Sequence, residues 1–142
     1  MIGIVIATHA NLGEALLNTA RAVVPTATSV VTVAIGESDS AVSYEAKLRE
    51  AIESVRSDGG VLVLTDMFGG TPSNVGMTLH DSAAVEVLTG ANLPMVVKAM
   101  QLASRPVELG VAARQIRDAG QRAIAIASEV LGAVATAGGP SA

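Results

Sequence analysis

Two short stretches carry the residue types that do chemistry. The first, "VIATHANLGEAL" (5–16), sets His9 between an apolar run and a helix-like segment, and the second, "TDMFGGTPSN" (65–74), carries Asp66 just ahead of Gly69, Gly70, Thr71 and Pro72. A carboxylate beside an imidazole accepts one ring N–H, fixes the tautomer and leaves the other nitrogen free as a nucleophile or ligand. Gly69 and Gly70 allow backbone N–H groups close to a ligand, Thr71 offers a hydroxyl, and Pro72 suits the first turn of a helix whose N-terminus faces the site. Such an end favours anions, phosphate above all. The combination suggests that a phosphoryl group visits the His9 ring, a chemistry that needs neither a catalytic metal nor another cofactor. No metal-ligand cluster stands in the sequence, and without a following Gly-Lys-Ser/Thr the glycine turn is not a Walker loop.

The elements that must bring these stretches together are legible as alternating patterns. "IGIVIAT" (2–8), "SVVTVAIG" (29–36), "GVLVLTD" (60–66) and "AAVEVLTG" (83–90) are short, rich in β-branched residues and bounded by Gly, Ser, Asp or Thr, as buried strands are. Between them, 11–24 reads as a helix, with Asn11 and Glu14 spaced as a capping box and Leu12, Leu16, Ala20 and Val23 on one face. A second helix over 40–56 turns Leu48, Ile52 and Val55 inward and its charges to solvent. Residues 72–81 and 92–103 supply two more, the latter with Pro94 in its first turn. Residues 106–120 read as a helix closed by Gly120, and "RAIAIAS" (122–128) alternates like a strand that joins antiparallel or leaves its subunit to pair with a neighbour. The domain is thus expected over 1–130, followed by a small, flexible tail over 131–142.

Strand and helix in alternation predict an α/β fold: an open, mainly parallel four-stranded sheet with helices on both faces. Ligands of such sheets sit outside the carboxyl ends of the strands, where the strand order reverses. In the order 2-1-3-4 the first and third strands are neighbours, so His9 and Asp66 face each other across that point.

Composition narrows the rest. The 142 residues, half of them hydrophobic, suffice for one buried core. One Phe, one Tyr and no Trp leave almost nothing to stack on bases, and a net charge of −4 disfavours a phosphate backbone, so no nucleic-acid partner is expected. Cysteine is absent, which removes disulfides and thiolate chemistry. Mean hydropathy is +0.51, yet no apolar run reaches the roughly 20 residues of a membrane span, and no basic leader opens the chain. A cytoplasmic protein without membrane insertion is the expectation.

"VIATHANLGEAL", "LTDMFGGTPSNVG" and "VEVLTGANLPMVVKAM" closely resemble, in order and spacing, the signature segments of the EIIA component of the mannose (mannose/fructose/sorbose) family of the bacterial phosphoenolpyruvate-dependent sugar phosphotransferase system (PTS). The resemblance implies a phosphocarrier that accepts a phosphoryl group from the protein HPr on His9 and passes it to an EIIB partner. It implies that Asp66 holds one ring nitrogen while the phosphoryl group rides on the other, Nε2, and that Thr71, commonly serine in the family, helps bind it. It further implies a homodimer that exchanges a C-terminal strand, which gives 122–128 a place. Phe68 stands where an aromatic is usual. An apolar rim of Leu12, Met67, Phe68 and Leu93 suits docking of a donor carrier or a regulatory target. Several family members continue through a linker into EIIB, whereas this sequence ends in a short Gly/Ala/Pro stretch, so a separate partner is expected. Some bacteria carry such an EIIA without a complete permease, and there it serves regulation.

Other readings compete less well. A hydrolase with Thr71 activated by His9 and Asp66 lacks a nucleophile elbow, and Thr71 sits where it binds more readily than it attacks. His80, at the end of a helix, complements the helix dipole. Met67, Met77, Met95 and Met100 read as core or rim packing.

Overall fold

The computed structural model describes residues 1–24, 29–67, 69–81 and 84–138, with side chains described to residue 132. Four strands, β1 (Gly3–His9), β2 (Val30–Ile35), β3 (Val61–Thr65) and β4 (Val85–Leu88), form one all-parallel sheet in the order β2-β1-β3-β4. Every residue of β3 and all of β1 up to Thr8 are buried, as expected of central parallel strands covered on both faces.

The pleat divides the core in two. Ile4 and Ile6 of β1, with Leu62 and Leu64 of β3, face α1 (Leu12–Val23), α4 (Leu93–Ala103) and α5 (Leu109–Arg122). Val5, Ala7, Val61 and Val63 face the other way, toward α2 (Ala41–Val55) and α3 (Thr71–Thr78). Each of these Val, Ile and Leu side chains contributes about 1.5–3 kcal/mol on leaving water, so the two layers fix the sheet between them.

Several local expectations are corrected. Asn11 stands at the N-cap of α1 but makes no side-chain capping bond; the Thr8 hydroxyl instead accepts the Gly13 amide at 2.8 Å. The buried face of α1 is Gly13, Leu17 and Ala20, with Leu12 and Val23 turned to solvent. The helix is rotated because Gly13 lets it approach the strand closely: a β-carbon there would lie 3.1 Å from the Ile6 carbonyl oxygen. The capping box belongs to α2, where Ser40 and Ser43 exchange side-chain and backbone bonds, and Leu48, Ile52 and Val55 point inward as expected, joined by Tyr44. Gly120 lies within α5 and does not close it; a β-carbon there would be 2.5 Å from Met95 Cγ, so glycine permits α5 to pack against α4.

The late strand is not formed. α5 continues to Arg122, and α6 (Ala127–Gly138) begins where the strand was expected to end. Residues 124–126 lie in neither strand nor helix, a lone extended segment having no ladder to satisfy its amides, and the alanine-rich stretch after them bonds internally as a helix. The tail expected over 131–142 is helical as far as Gly138, and 139–142 lie outside the described residues. No described helix is long and apolar enough to cross a membrane.

Candidate functional site

β1 ends on His9 and β3 ends one residue before Asp66, which places both side chains at the carboxyl edge of two paired strands. Asp66 Oδ2 accepts two bonds from His9, one from its amide at 2.9 Å and one from ring Nδ1 at 2.9 Å. Oδ1 accepts the Met67 amide at 3.0 Å. Partial burial pushes the Asp66 carboxyl up, but the His9 amide, the His9 ring and the Met67 amide outweigh it and hold the group below the usual aspartate range. An ionised Asp66 accepts, so Nδ1 carries a proton, and in the neutral ring the lone pair is then on Nε2. The carboxylate is 11% exposed and the imidazole 43%, so the open edge of the ring meets solvent. The chain turns sharply after His9 through Ala10, whose φ of +48° lies in the left-handed region. That conformation costs an alanine roughly 1–2 kcal/mol, and it is held by the bond from the Ala10 amide to the Ile35 carbonyl at 3.1 Å.

Opposite the ring runs the loop from β3 into α3. Gly69 takes φ +87°, which favours glycine. Its amide is not free for a ligand, since it donates to Ser73 Oγ at 2.9 Å. Ser73, fully buried, donates in turn to the Gly70 carbonyl at 3.1 Å, and Asn74 Nδ2 donates to the Gly69 carbonyl at 3.3 Å. Gly70 is the N-cap of α3 and Pro72 lies in its first turn, so the Gly70 and Thr71 amides have no acceptor within the helix. Thr71 is half-buried beside them. Ser73 and Asn74 were not singled out from sequence. The signal was present, because a serine on the third residue of a helix opened by two glycines can bond back into the turn.

The expected rim is partly assembled. Leu12 and Met67 are exposed, Leu93 is half-buried and packs against the core, and Phe68 lies outside the described residues. Met77 is also exposed, while Met95 and Met100 are core residues. His80 stands apart from the site, with Nε2 3.5 Å from Glu86 Oε1. Among the described residues no three His, Asp or Glu side chains converge as metal ligands.

The family described as "PTS system fructose IIA component" (EIIA-man) matches residues 3–116. The chain is 23% identical to the PTS system fructose-specific EIIA component of Bacillus subtilis, over 96% of this chain and 94% of that protein. It is 31% identical to the PTS system mannose-specific EIIAB component of Escherichia coli, over 70% of this chain but only 31% of that longer protein. Among solved structures, a phosphotransferase system component EIIA from Streptococcus agalactiae superposes with a TM-score of 0.81 at 24% identity, covering 91% of this chain and 99% of that one. A mannose/sorbose specific IIA subunit from Enterococcus faecalis superposes with a TM-score of 0.72 at 26% identity, covering 87% and 92%.

Proposed function

Since the chain belongs to the EIIA-man family of PTS components, we propose that it is a phosphohistidine carrier that accepts a phosphoryl group on His9 Nε2 and hands it to a partner protein. The observation that carries this reading is the 2.9 Å bond from His9 Nδ1 to Asp66 Oδ2, which leaves Nε2 facing out beside the start of α3.

In the forward step the Nε2 lone pair attacks the phosphorus of a donor phosphohistidine, in line with its P–N bond. That bond breaks, and its electron pair returns to the donor ring. His9 retains its Nδ1 proton, so the phosphorylated ring carries positive charge, which Asp66 balances at hydrogen-bond distance. The Gly70 and Thr71 amides, with the Thr71 hydroxyl, stabilise the equatorial oxygens. Gly69, by contrast, supports the loop through Ser73. Return of the group to an acceptor is the same step reversed.

HPr is the donor proposed, and an EIIB protein the acceptor, in keeping with relatives named as EIIAB. The exposed Leu12, three residues after His9, and the exposed Met67, next to Asp66, suit the docking of either. We also propose a homodimer through the open edge of β4. A groove of about 500 Å³ along that edge is lined by Val87, Thr89 and Ile124 among others, and Ile124 and Ile126 are left largely in solvent. An unpaired strand edge beside such residues is a template for a segment of a second copy. Sugar transport is the process such a relay serves.

The test is the intact mass of the protein after incubation with phosphoenolpyruvate, enzyme I and HPr. One acid-labile phosphoryl group on the wild type, missing from His9→Ala, is expected. An unmodified wild type with an active donor mixture would refute the carrier reading.

A further inference from the structure

One buried hydroxyl next to His9 takes no part in the step above. Thr8, the residue before it on β1, is fully buried, and its Oγ1 accepts the Gly13 amide at 2.8 Å. That bond does for α1 what a capping side chain does, since the Asn11 side chain makes none. It also closes a short turn over residues 8–13, with His9 and Ala10 inside it.

The turn is anchored at both ends. On the strand side the His9 amide donates to Asp66 Oδ2 at 2.9 Å and the Ala10 amide to the Ile35 carbonyl at 3.1 Å. On the helix side the Thr8 hydroxyl holds Gly13, and there is little slack: a β-carbon on Gly13 would lie 3.1 Å from the Ile6 carbonyl oxygen and 3.2 Å from Thr8 Oγ1. Between these anchors Ala10 is kept at φ +48°, the one positive φ of a non-glycine residue among those described. A left-handed alanine persists only where its surroundings over-determine it. With Gly13 released, Ala10 would relax to an ordinary conformation and the peptide joining it to His9 would rotate. His9 depends on that backbone, because its amide and its ring Nδ1 both donate to one oxygen, Asp66 Oδ2, each at 2.9 Å. A rotation there lengthens one bond or the other.

We infer that Thr8 is a positioning residue for His9: by capturing the Gly13 amide, its hydroxyl keeps the Ala10 turn closed and so keeps the ring on Asp66. The effect on transfer rate rests on the phosphocarrier reading, whereas the orientation of the ring does not.

The test compares wild type with Thr8→Val, which keeps the shape and removes the acceptor, and Thr8→Ser, which keeps the acceptor and removes a methyl group. Nitrogen NMR of the unphosphorylated protein, with the ring neutral, reads the two His9 nitrogens; Tm reports folding, and phosphoryl acceptance from HPr is timed. In the wild type one nitrogen is protonated and the other bare, so their shifts stand well apart. Thr8→Val should draw them together as the two tautomers mix, and slow acceptance about ten-fold. Thr8→Ser should keep the wild-type separation and rate even where its Tm falls. If Thr8→Val does not fold, Gly13→Ala, which presses on the same bond, takes its place. An unchanged separation in the folded variant, or the same change in Thr8→Ser, would overturn the inference. A wild type that accepts no phosphoryl group while Thr8→Val still mixes the tautomers would refute the carrier reading and leave the positioning role standing.

Discussion

The α-carbon of Gly70 closes against the free edge of the His9 ring: a β-carbon added there would lie 2.8 Å from His9 Cε1 and 3.4 Å from Nε2. With Asp66 holding Nδ1, an added methyl group would have to push the ring off that bond and toward solvent. Gly70 has a φ of −84°, which any residue adopts, so glycine is needed for space and not for backbone freedom. Gly70→Ala is therefore expected to fold normally by circular dichroism and to accept phosphoryl about a hundred-fold more slowly, as a reacting atom displaced by an ångström does. A variant with wild-type kinetics would show that the ring adjusts freely.

Asp66→Asn replaces a carboxylate that accepts three N–H groups with a neutral amide that cannot balance charge on the ring. Transfer should slow by about ten- to a hundred-fold without being abolished, because Nε2 and the α3 amides remain. The sign of the pH effect follows from the lowered Asp66 pKa. Its bonds favour the ionised form, so its contribution to stability is complete above the ordinary value of 3.8 and is lost as pH falls through the lower folded value. Urea unfolding at a series of pH values should show wild type and Asp66→Asn converging in acid; a constant difference would contradict this.

Much of this was legible in the sequence. Short β-branched runs alternating with helical periods gave the parallel sheet, and because His9 and Asp66 follow the first and third of them, their meeting at the carboxyl edge follows from the order β2-β1-β3-β4. What escaped rests on small residues and on partners distant in sequence. Gly13 and Gly120 permit close approach, and that rotates α1 and extends α5 in ways that hydrophobic periodicity does not register. The Gly69 amide looked available until Ser73 took it, and the cap expected from Asn11 gave way to the buried Thr8 hydroxyl. Residues 122–128 alternate as a strand, but alternation cannot say whether a neighbour is there to pair with.

Ser73 supports the loop with one bond accepted and one donated, both part-buried. Ser73→Ala leaves the Gly69 amide without that acceptor, at a cost of about 1–3 kcal/mol. Thermal unfolding should register the loss, and phosphoryl acceptance should fall with it. Unchanged stability would mean that water replaces the hydroxyl at no cost.

Ile124 and Ile126 are 77% and 60% exposed in the single chain. If they cover the β4 edge of a second copy, the wild type sediments as a dimer and the double variant Ile124→Asp, Ile126→Asp as a monomer. A wild type that is monomeric across the concentration range would remove the dimer proposal.

The claim on which the mechanism turns is that Asp66 holds Nδ1 so that Nε2 reacts. Nitrogen and phosphorus NMR of the phosphorylated, nitrogen-labelled protein tests it most directly. The arrangement predicts one phosphoryl group coupled to Nε2 of His9, with Nδ1 still protonated. Coupling to Nδ1, or to any other residue, would contradict it.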